Sequence, residues 1–187
     1  TIPNSVTSIG KYAFYHCTDL TNIVIGKGIT TIEENVFSSC DIENITIPNC
    51  VTTIGNDAFS YCYGLKSITI PESVTKIGKS AFYNCRWLTS ITIPNSVTTI
   101  EEYAFSKSGL TSITIPDSVT AIGGRAFEEC SSLIYVYCKA TTPPTLGNSD
   151  VFTNNASGRR IIVPIGSGEV YKKASRWSVY ANDIIEN

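Results

Sequence analysis

The chain has 187 residues, 42% of them hydrophobic and only 16% charged, with a net charge of -2. It is too apolar to be disordered, and its charge rules out a strong general attraction to nucleic acid or anionic lipid. No apolar run approaches the length of a membrane helix, so the chain is read as one core or a short array of repeats.

From the N-terminus onward one pattern recurs. Thr1-Ile2-Pro3 reads as the tail of a Leu-x-x-Ile-x-Ile-Pro motif, so the chain is expected to be a piece of a longer array. Weaker copies run from Leu20 to Gly26 and Ile42 to Pro48, and full ones from Leu65 to Pro71, Leu88 to Pro94 and Leu110 to Pro116. Each is followed by Val-Thr-x-Ile or a close variant, as at Val51–Ile54 and Val74–Ile77, and then by Ala-Phe or Val-Phe. All seven Phe (14, 37, 59, 82, 105, 127, 152) occupy that one position, at gaps of 23, 22, 23, 23, 22 and 25 residues. One residue is missing between Cys40 and Ile42, and again between Ser108 and Leu110, by comparison with Cys62 to Leu65. Deletions confined to one place mark a loop, and the positions that keep register must be those that pack.

A period near 23 residues is that of a leucine-rich-repeat solenoid, in which one coil cannot bury its apolar side alone and must stack. The fold class expected is a right-handed solenoid, mostly β with little helix. Ile91-Thr92-Ile93 and its equivalents alternate apolar and polar as half-buried strands do, and stacking would set them in a parallel sheet at about 4.8 Å per coil. The following Pro cannot donate to the ladder and ends the strand. Val-Thr-x-Ile predicts a second short strand, with Gly10, Gly55, Gly78 and Gly123 at a corner that favours permissive backbone. Ala-Phe-x-x-Cys predicts a single helical turn, its Phe and Cys facing inward.

The recurrent Ile-Thr-Ile-Pro-x-Ser-Val-Thr-x-Ile-Gly-x-x-Ala-Phe-x-x-Cys, complete from Ile70 through Cys85, resembles the BspA-like leucine-rich-repeat family of surface proteins. The resemblance covers residues 1–140, taken as the array. It implies an extracellular or cell-surface protein engaged in adhesion to host matrix proteins or other cell surfaces.

Beyond the array the rhythm changes. Leu133 to Cys138 predicts a further strand in which Tyr135 and Tyr137 replace small polar residues. Thr141-Thr142-Pro143-Pro144 breaks the pattern, Ile161 to Pro164 predicts a final strand, and Glu169 to Ala174 a short helix ahead of Trp177 and Tyr180. Residues 141–187 are therefore expected to cap the open end, as atypical terminal repeats do. Gly166-Ser167-Gly168 is no phosphate loop, because it lacks the Lys-Ser/Thr that would contact phosphate and metal.

Catalytic chemistry finds few parts. Five of the seven Cys (17, 40, 62, 85, 130) share one inward position, with Ser108 filling the remaining place, and are expected to be small buried hydrophobes. Side chains in such a column run parallel and do not meet at a disulfide torsion. No Cys-x-x-Cys pair suggests zinc, and no metal or cofactor is expected. Cys50, standing where other coils have Ser, is the expected exposed thiol, of unassigned redox state; Cys138 is expected in the core. His16, the only His, diverges from adjacent Cys17 and reads as a solvated loop residue. With no second His and no carboxylate cluster, an enzyme is not expected.

The outward face of the strand sheet is the candidate site. One column reads Asn22, Asn44, Ser67, Ser90, Ser112, Tyr135, and the other Val24, Thr46, Thr69, Thr92, Thr114, Tyr137. The candidate binding residues are Ser67, Thr69, Ser90, Thr92, Ser112, Thr114, Tyr135 and Tyr137. The paired tyrosines carry most weight, as exposed aromatics favour contact; otherwise they pack beneath the cap. A second aromatic set, Tyr12, Tyr15, Tyr61, Tyr63, Tyr83, Trp87 and Tyr103, varies between coils and either decorates a binding edge or shields loops. The partner expected is a protein, with a glycan on the Thr/Ser/Asn face as the alternative. Ice binding through Thr31, Thr53 and Thr99 is broken by Lys76 and Ala121.

Overall fold

The computed structural model describes all 187 residues and winds them into a parallel-strand solenoid of about seven turns. Each coil contributes two extended pieces. The longer are β1 (Asn22–Val24), β3 (Asn44–Thr46), β5 (Ser67–Thr69), β7 (Ser90–Thr92), β9 (Ser112–Ile115), β11 (Tyr135–Cys138) and β13 (Arg160–Val163). The shorter are the two-residue β2 (Thr31–Ile32), β4 (Thr53–Ile54), β6 (Lys76–Ile77), β8 (Thr99–Ile100), β10 (Ala121–Ile122) and β12 (Thr145–Leu146). All pairs are parallel and in repeat register, Asn22 opposite Asn44 and Thr53 opposite Lys76. The six short strands form one unbroken sheet.

The interior is a single cluster built from equivalent side chains. The seven Phe rings stack face to face, 5.4 to 5.6 Å between centroids and within 17° of parallel. Phe37 through Phe152 are fully buried, whereas Phe14, on the first turn of this chain, is half-buried. Offset-stacked rings at this distance contribute about 0.5–1.5 kcal/mol per pair beyond the area they bury.

The Ala-Phe-x-x-Cys segment is not the helical turn expected from sequence. In the coil of Phe82, the N–H groups of Ser80, Phe82 and Asn84 donate to Glu102, Ala104 and Ser106 of the next coil at 2.8–2.9 Å. Those of Ala81, Tyr83 and Cys85 instead bond three residues back within their own coil. A helix would turn every N–H along its own axis and leave the neighbouring coil unsatisfied, so the segment alternates in and out. From Phe37 to Phe127 the alternation needs left-handed backbone two residues either side of the Phe: Ser80 (φ 54) and Asn84 (φ 58), Asn35 and Ser39, Asp57 and Tyr61, Tyr103 and Lys107, Arg125 and Glu129. None of these is Gly.

The corner glycines have a different reason from the one expected. Gly55 and Gly78 do not have positive φ; a Cβ on either would lie 2.8 or 2.7 Å from backbone of the preceding coil. Close approach selects Gly there, and the Gly55 N–H donates across that approach to the Ile32 carbonyl at 2.7 Å.

Residues 141–187 carry one more coil as well as the closing elements. β12 joins the short-strand sheet and Phe152 ends the ring stack. Trp177 and Tyr180 then seat on Phe152, centroids 5.9 and 5.5 Å away, with the tyrosine edge-on. Their polar ends are satisfied, since Trp177 Nε1 donates to Pro144 O at 2.8 Å and Tyr180 Oη to Ser149 O. The expected helix is α1 (Gly168–Lys173), and Tyr171 on it donates to Ala140 O at 2.8 Å. A 3-10 turn over Ser178–Asp183 and a last strand, β14 (Ile184–Glu186), were not legible in the sequence; β14 pairs in parallel with β13.

Two outcomes follow from this packing. Phe82→Ala should lower chemical-denaturation stability by about 3–5 kcal/mol, and Phe14→Ala by clearly less because its ring is already half in water. At Ser39 (φ 61), Gly should be neutral or stabilising while Val costs about 1–2 kcal/mol; equal losses in thermal melts would contradict the left-handed assignment.

Candidate functional site

The outward columns lie where the sequence places them, but not on one continuous sheet. The long strands pair as β1–β3, as β5–β7 and as β9–β11–β13–β14, with pairing interrupted between β3 and β5 and between β7 and β9. Of the eight candidate residues, Ser67, Thr69, Ser90 and Thr92 share the central pair, Ser67 opposite Ser90 and Thr69 opposite Thr92. Ser112, Thr114, Tyr135 and Tyr137 share the last block, Ser112 opposite Tyr135 and Thr114 opposite Tyr137. The expected uniform 4.8 Å ladder therefore fails at two gaps. Ile45 and Ile91, at the centre of the strand preceding each gap, are half-buried, whereas Ile68 and Ile113 on the far side, like Ile23 and Val136, are buried. At the first gap the surface dips into a hollow of about 270 Å³ flanked by Asn44, Thr46, Ser67 and Thr69.

The C-terminal end of the face is different in chemistry. Tyr135 and Tyr137 stack at 6.2 Å and 28°, Tyr135 being 43% exposed and Tyr137 half-buried. The closing strands do not cover them; they extend the sheet beside them. Tyr137 stands opposite Ile162 and Ile162 opposite Ile185, while Tyr135 stands opposite Arg160. The polar column Thr46, Thr69, Thr92, Thr114 thus turns apolar as Tyr137, Ile162 and Ile185. Sequence reasoning missed Arg160, Ile162 and Ile185. The strand around Ile162 was legible, but its register against β11 depends on the length of the 141–160 loop, and β14 carries no repeat signal.

The variable aromatics occupy the turn side. Tyr61 contacts Tyr63 and Tyr83 edge-on at 6.2 and 5.4 Å, and Tyr83 contacts Tyr103 at 6.4 Å. Cations lie over the rings: Lys79 and Arg125 on Tyr103, Lys107 on Tyr83, Arg86 on Tyr63, each 5.6–5.8 Å from a centroid.

The inward thiols are buried as expected at Cys40, Cys62, Cys85, Cys130 and Cys138, and all seven cysteines are free. Each thiol of the column donates to the Phe carbonyl of the preceding coil, as Cys85 Sγ does to Phe59 O at 3.0 Å. Cys17, assigned to that column, is instead exposed, because no coil of this chain stacks on its outer side. Cys50 is half-buried and not the exposed thiol; its Sγ donates to Ile29 O at 3.2 Å, just as Ser73 and Ser96 donate to Val51 O and Val74 O. His16 lies exposed on the turn side at φ 59. No cluster of three or more His, Cys, Asp or Glu has metal-holding geometry, and no helix is long and apolar enough to cross a membrane.

Comparison with known proteins agrees with this architecture. The BspA type leucine rich repeat region matches in six copies, over residues 1–108 and 52–175. The chain belongs to that family. No curated protein matches it. Among solved structures it is similar to a leucine-rich repeat protein from Bacteroides ovatus (28% identity, 87% of this chain and 54% of that one, TM-score 0.56). It is also similar to a leucine rich repeat protein of T. pallidum (30%, 70% and 62%, TM-score 0.65). A leucine rich cell surface protein from Faecalibacterium prausnitzii shares the fold at 23% identity, over 96% of this chain and 67% of that one, TM-score 0.51. The chain thus spans 54% and 62% of the first two relatives' lengths. BspA-type arrays are repeat scaffolds of the kind that mediate protein–protein contact.

The thiols supply a direct check on inward and outward. Burial raises Cys40 and Cys130 to about 11 and Cys85 and Cys138 to about 12, from an ordinary 9.0. In the native chain a thiol reagent should modify Cys17 first and Cys50 slowly, the other five reacting only in denaturant. Because the folded values are raised, the stability these thiols contribute is complete below about pH 9 and is lost as pH climbs through 11 to 12. Alkaline melts should show that decline, and Cys85→Ser should make it shallower.

Proposed function

We propose that this chain is a non-catalytic binding scaffold of a secreted or cell-surface adhesion protein. It recognises a protein partner through the long-strand face, with Ser67, Thr69, Ser90, Thr92, Ser112 and Thr114 as the polar field and Tyr135 and Tyr137 as anchors. Residues 1–140 serve as the array and 141–187 close it. The observation that supports the reading is the aromatic–aliphatic end of the face, where Tyr135, Tyr137 and Ile185 remain accessible although the closing strands lie alongside. Exposed aromatics next to aliphatic side chains, rimmed by hydroxyls and Arg160, have the composition of an interface core with its rim. Seven coils at about 4.8 Å give a face near 30 Å long, whose two outward columns supply roughly several hundred Å² against the ~800 Å² per partner that a standard interface buries. The surface setting follows the family, and no cofactor enters.

A panel of extracellular-matrix and bacterial surface proteins, screened by biolayer interferometry, tests this. One or more should bind; Tyr137→Ala and Ile185→Ala should each weaken that binding about tenfold or more, and Thr92→Ala less than about threefold. No binder across the panel, or a binder indifferent to both anchor substitutions, overturns the reading.

A further inference from the structure

One loop on the side of the solenoid is drawn inward. The flanking coils run Cys85-Arg86-Trp87-Leu88 and Cys130-Ser131-Ser132-Leu133, while the coil between them has Ser108-Gly109-Leu110, one residue fewer. Its Gly109 N–H donates to Cys85 O at 3.2 Å, and a Cβ on Gly109 would fall 2.2 Å from the Arg86 carbonyl oxygen. The recess left outside it is a trough of about 470 Å³, within the range of small-ligand sites.

The lining is wholly polar. Ser108 and Gly109 form the floor. Along one wall run Asn84, Lys107, Glu129 and Asn154, the left-handed residues two places after successive Phe. Ser131 and Ser132 lie on the other side, and Arg86 joins the trough to an open shelf made with Tyr63 and Trp87. Trp87 is 64% exposed.

Arg86 is held without being neutralised. Its Nε donates to Asn84 Oδ1 at 2.9 Å, Asn84 Nδ2 donates to the Tyr63 hydroxyl at 3.3 Å, and the guanidinium lies over the Tyr63 ring at 5.8 Å. No carboxylate pairs with it, whereas Lys107 across the trough has Glu129 at 3.7 Å. The remaining N–H groups of Arg86 have no carboxylate partner and leave an uncompensated fork at the edge of the trough, which suits a planar carboxylate.

We propose that this trough and shelf bind a carboxylate-bearing saccharide. A sugar ring lays its C–H face on Trp87, its carboxylate takes the Arg86 fork, and its hydroxyls bond Ser131, Ser132 and Asn154. A protein partner would need an apolar pocket for an anchor side chain, which the trough lacks. The site is separate from the long-strand face and does not depend on it.

Titration calorimetry with galacturonic- and glucuronic-acid oligosaccharides, and with their neutral galactose and glucose counterparts, tests the assignment. The acidic sugars should bind at least tenfold more tightly than the neutral ones. Trp87→Ala should weaken binding of the acidic sugars tenfold or more, and Arg86→Gln should remove the preference for acid. Inserting one Ser between Ser108 and Gly109 restores the length of other coils and should close the trough. Tyr137→Ala should leave saccharide binding unchanged, separating this site from the strand face. Absence of acidic-sugar binding, no acidic preference, or binding untouched by both Trp87→Ala and Arg86→Gln overturns the proposal. So does loss, in those two exposed variants, of a protein partner in place of a sugar.

Discussion

The stacking of one Phe ring on the next is the constraint from which the other distances follow. The rings stand 5.4 to 5.6 Å apart, whereas hydrogen-bonded strands prefer about 4.8 Å. The two spacings hold together, since the ring distance is set at the side chains while the N–H of Phe82 still donates to Ala104 O of the next coil at 2.8 Å. The turn side keeps its inter-coil bonds through alternate N–H groups, and the short-strand sheet stays whole. On the long-strand side the ladder is regular within β1–β3, β5–β7 and β9–β11–β13–β14 and is interrupted between β3 and β5 and between β7 and β9. Water reaches Ile45 and Ile91 at those two places, and the face offered to a partner is stepped rather than flat.

Polar satisfaction follows the same vertical logic. A coil has too little interior to pair its own carbonyls, so single-hydroxyl or thiol side chains reach one coil back. Cys40, Cys62, Cys85 and Cys130 do so to the Phe carbonyls, and Ser73, Ser96, Ser118 and Cys50 to the carbonyls of Val51, Val74, Val97 and Ile29. Ser and Cys exchange between these columns: Cys50 keeps the donation one coil back, while the Ser108 hydroxyl meets Cys130 Sγ instead, each a small side chain with one donor. The Cys repetition reflects packing and the bond to the Phe carbonyl, repeated coil by coil. Burial holds the column as thiols, and parallel side chains cannot join.

Residues in fixed register were readable from sequence because packing repeats them. The Phe spine, the inward thiols and the alternating Ile-x-Ile strands all obeyed the period. The helical turn was misread because Ala-Phe-x-x-Cys fits a helix by spacing, while left-handed residues such as Ser39, Tyr61, Arg125 and Glu129 carry no compositional mark; Asn and Asp at 35, 57 and 84 were the only hint. Cys17 was misplaced for another reason: periodicity fixes where a side chain points, and not whether a neighbouring coil covers it. The face was half legible, since its columns came from the alternation, but the interruptions between β3 and β5 and between β7 and β9 carry no mark in the repeat.

Recognition in such a fold must come from positions the stack does not need. Identical coils would give an even surface of Thr and Ser, able to meet many partners weakly and few well. Two of the departures from that evenness are the replacement of Ser and Thr by Tyr135 and Tyr137, and the residue lost before Gly109. The first adds apolar area without altering the backbone. The second subtracts backbone, and its depth is fixed by the neighbouring coils, which keep full-length loops on either side. A recess of that kind is as rigid as the spine beneath it, because in its floor Ser108 is held by its contact with Cys130 at 3.3 Å and Gly109 by its bond to Cys85. Shape is therefore set before a ligand arrives, so ordering the site costs little on binding.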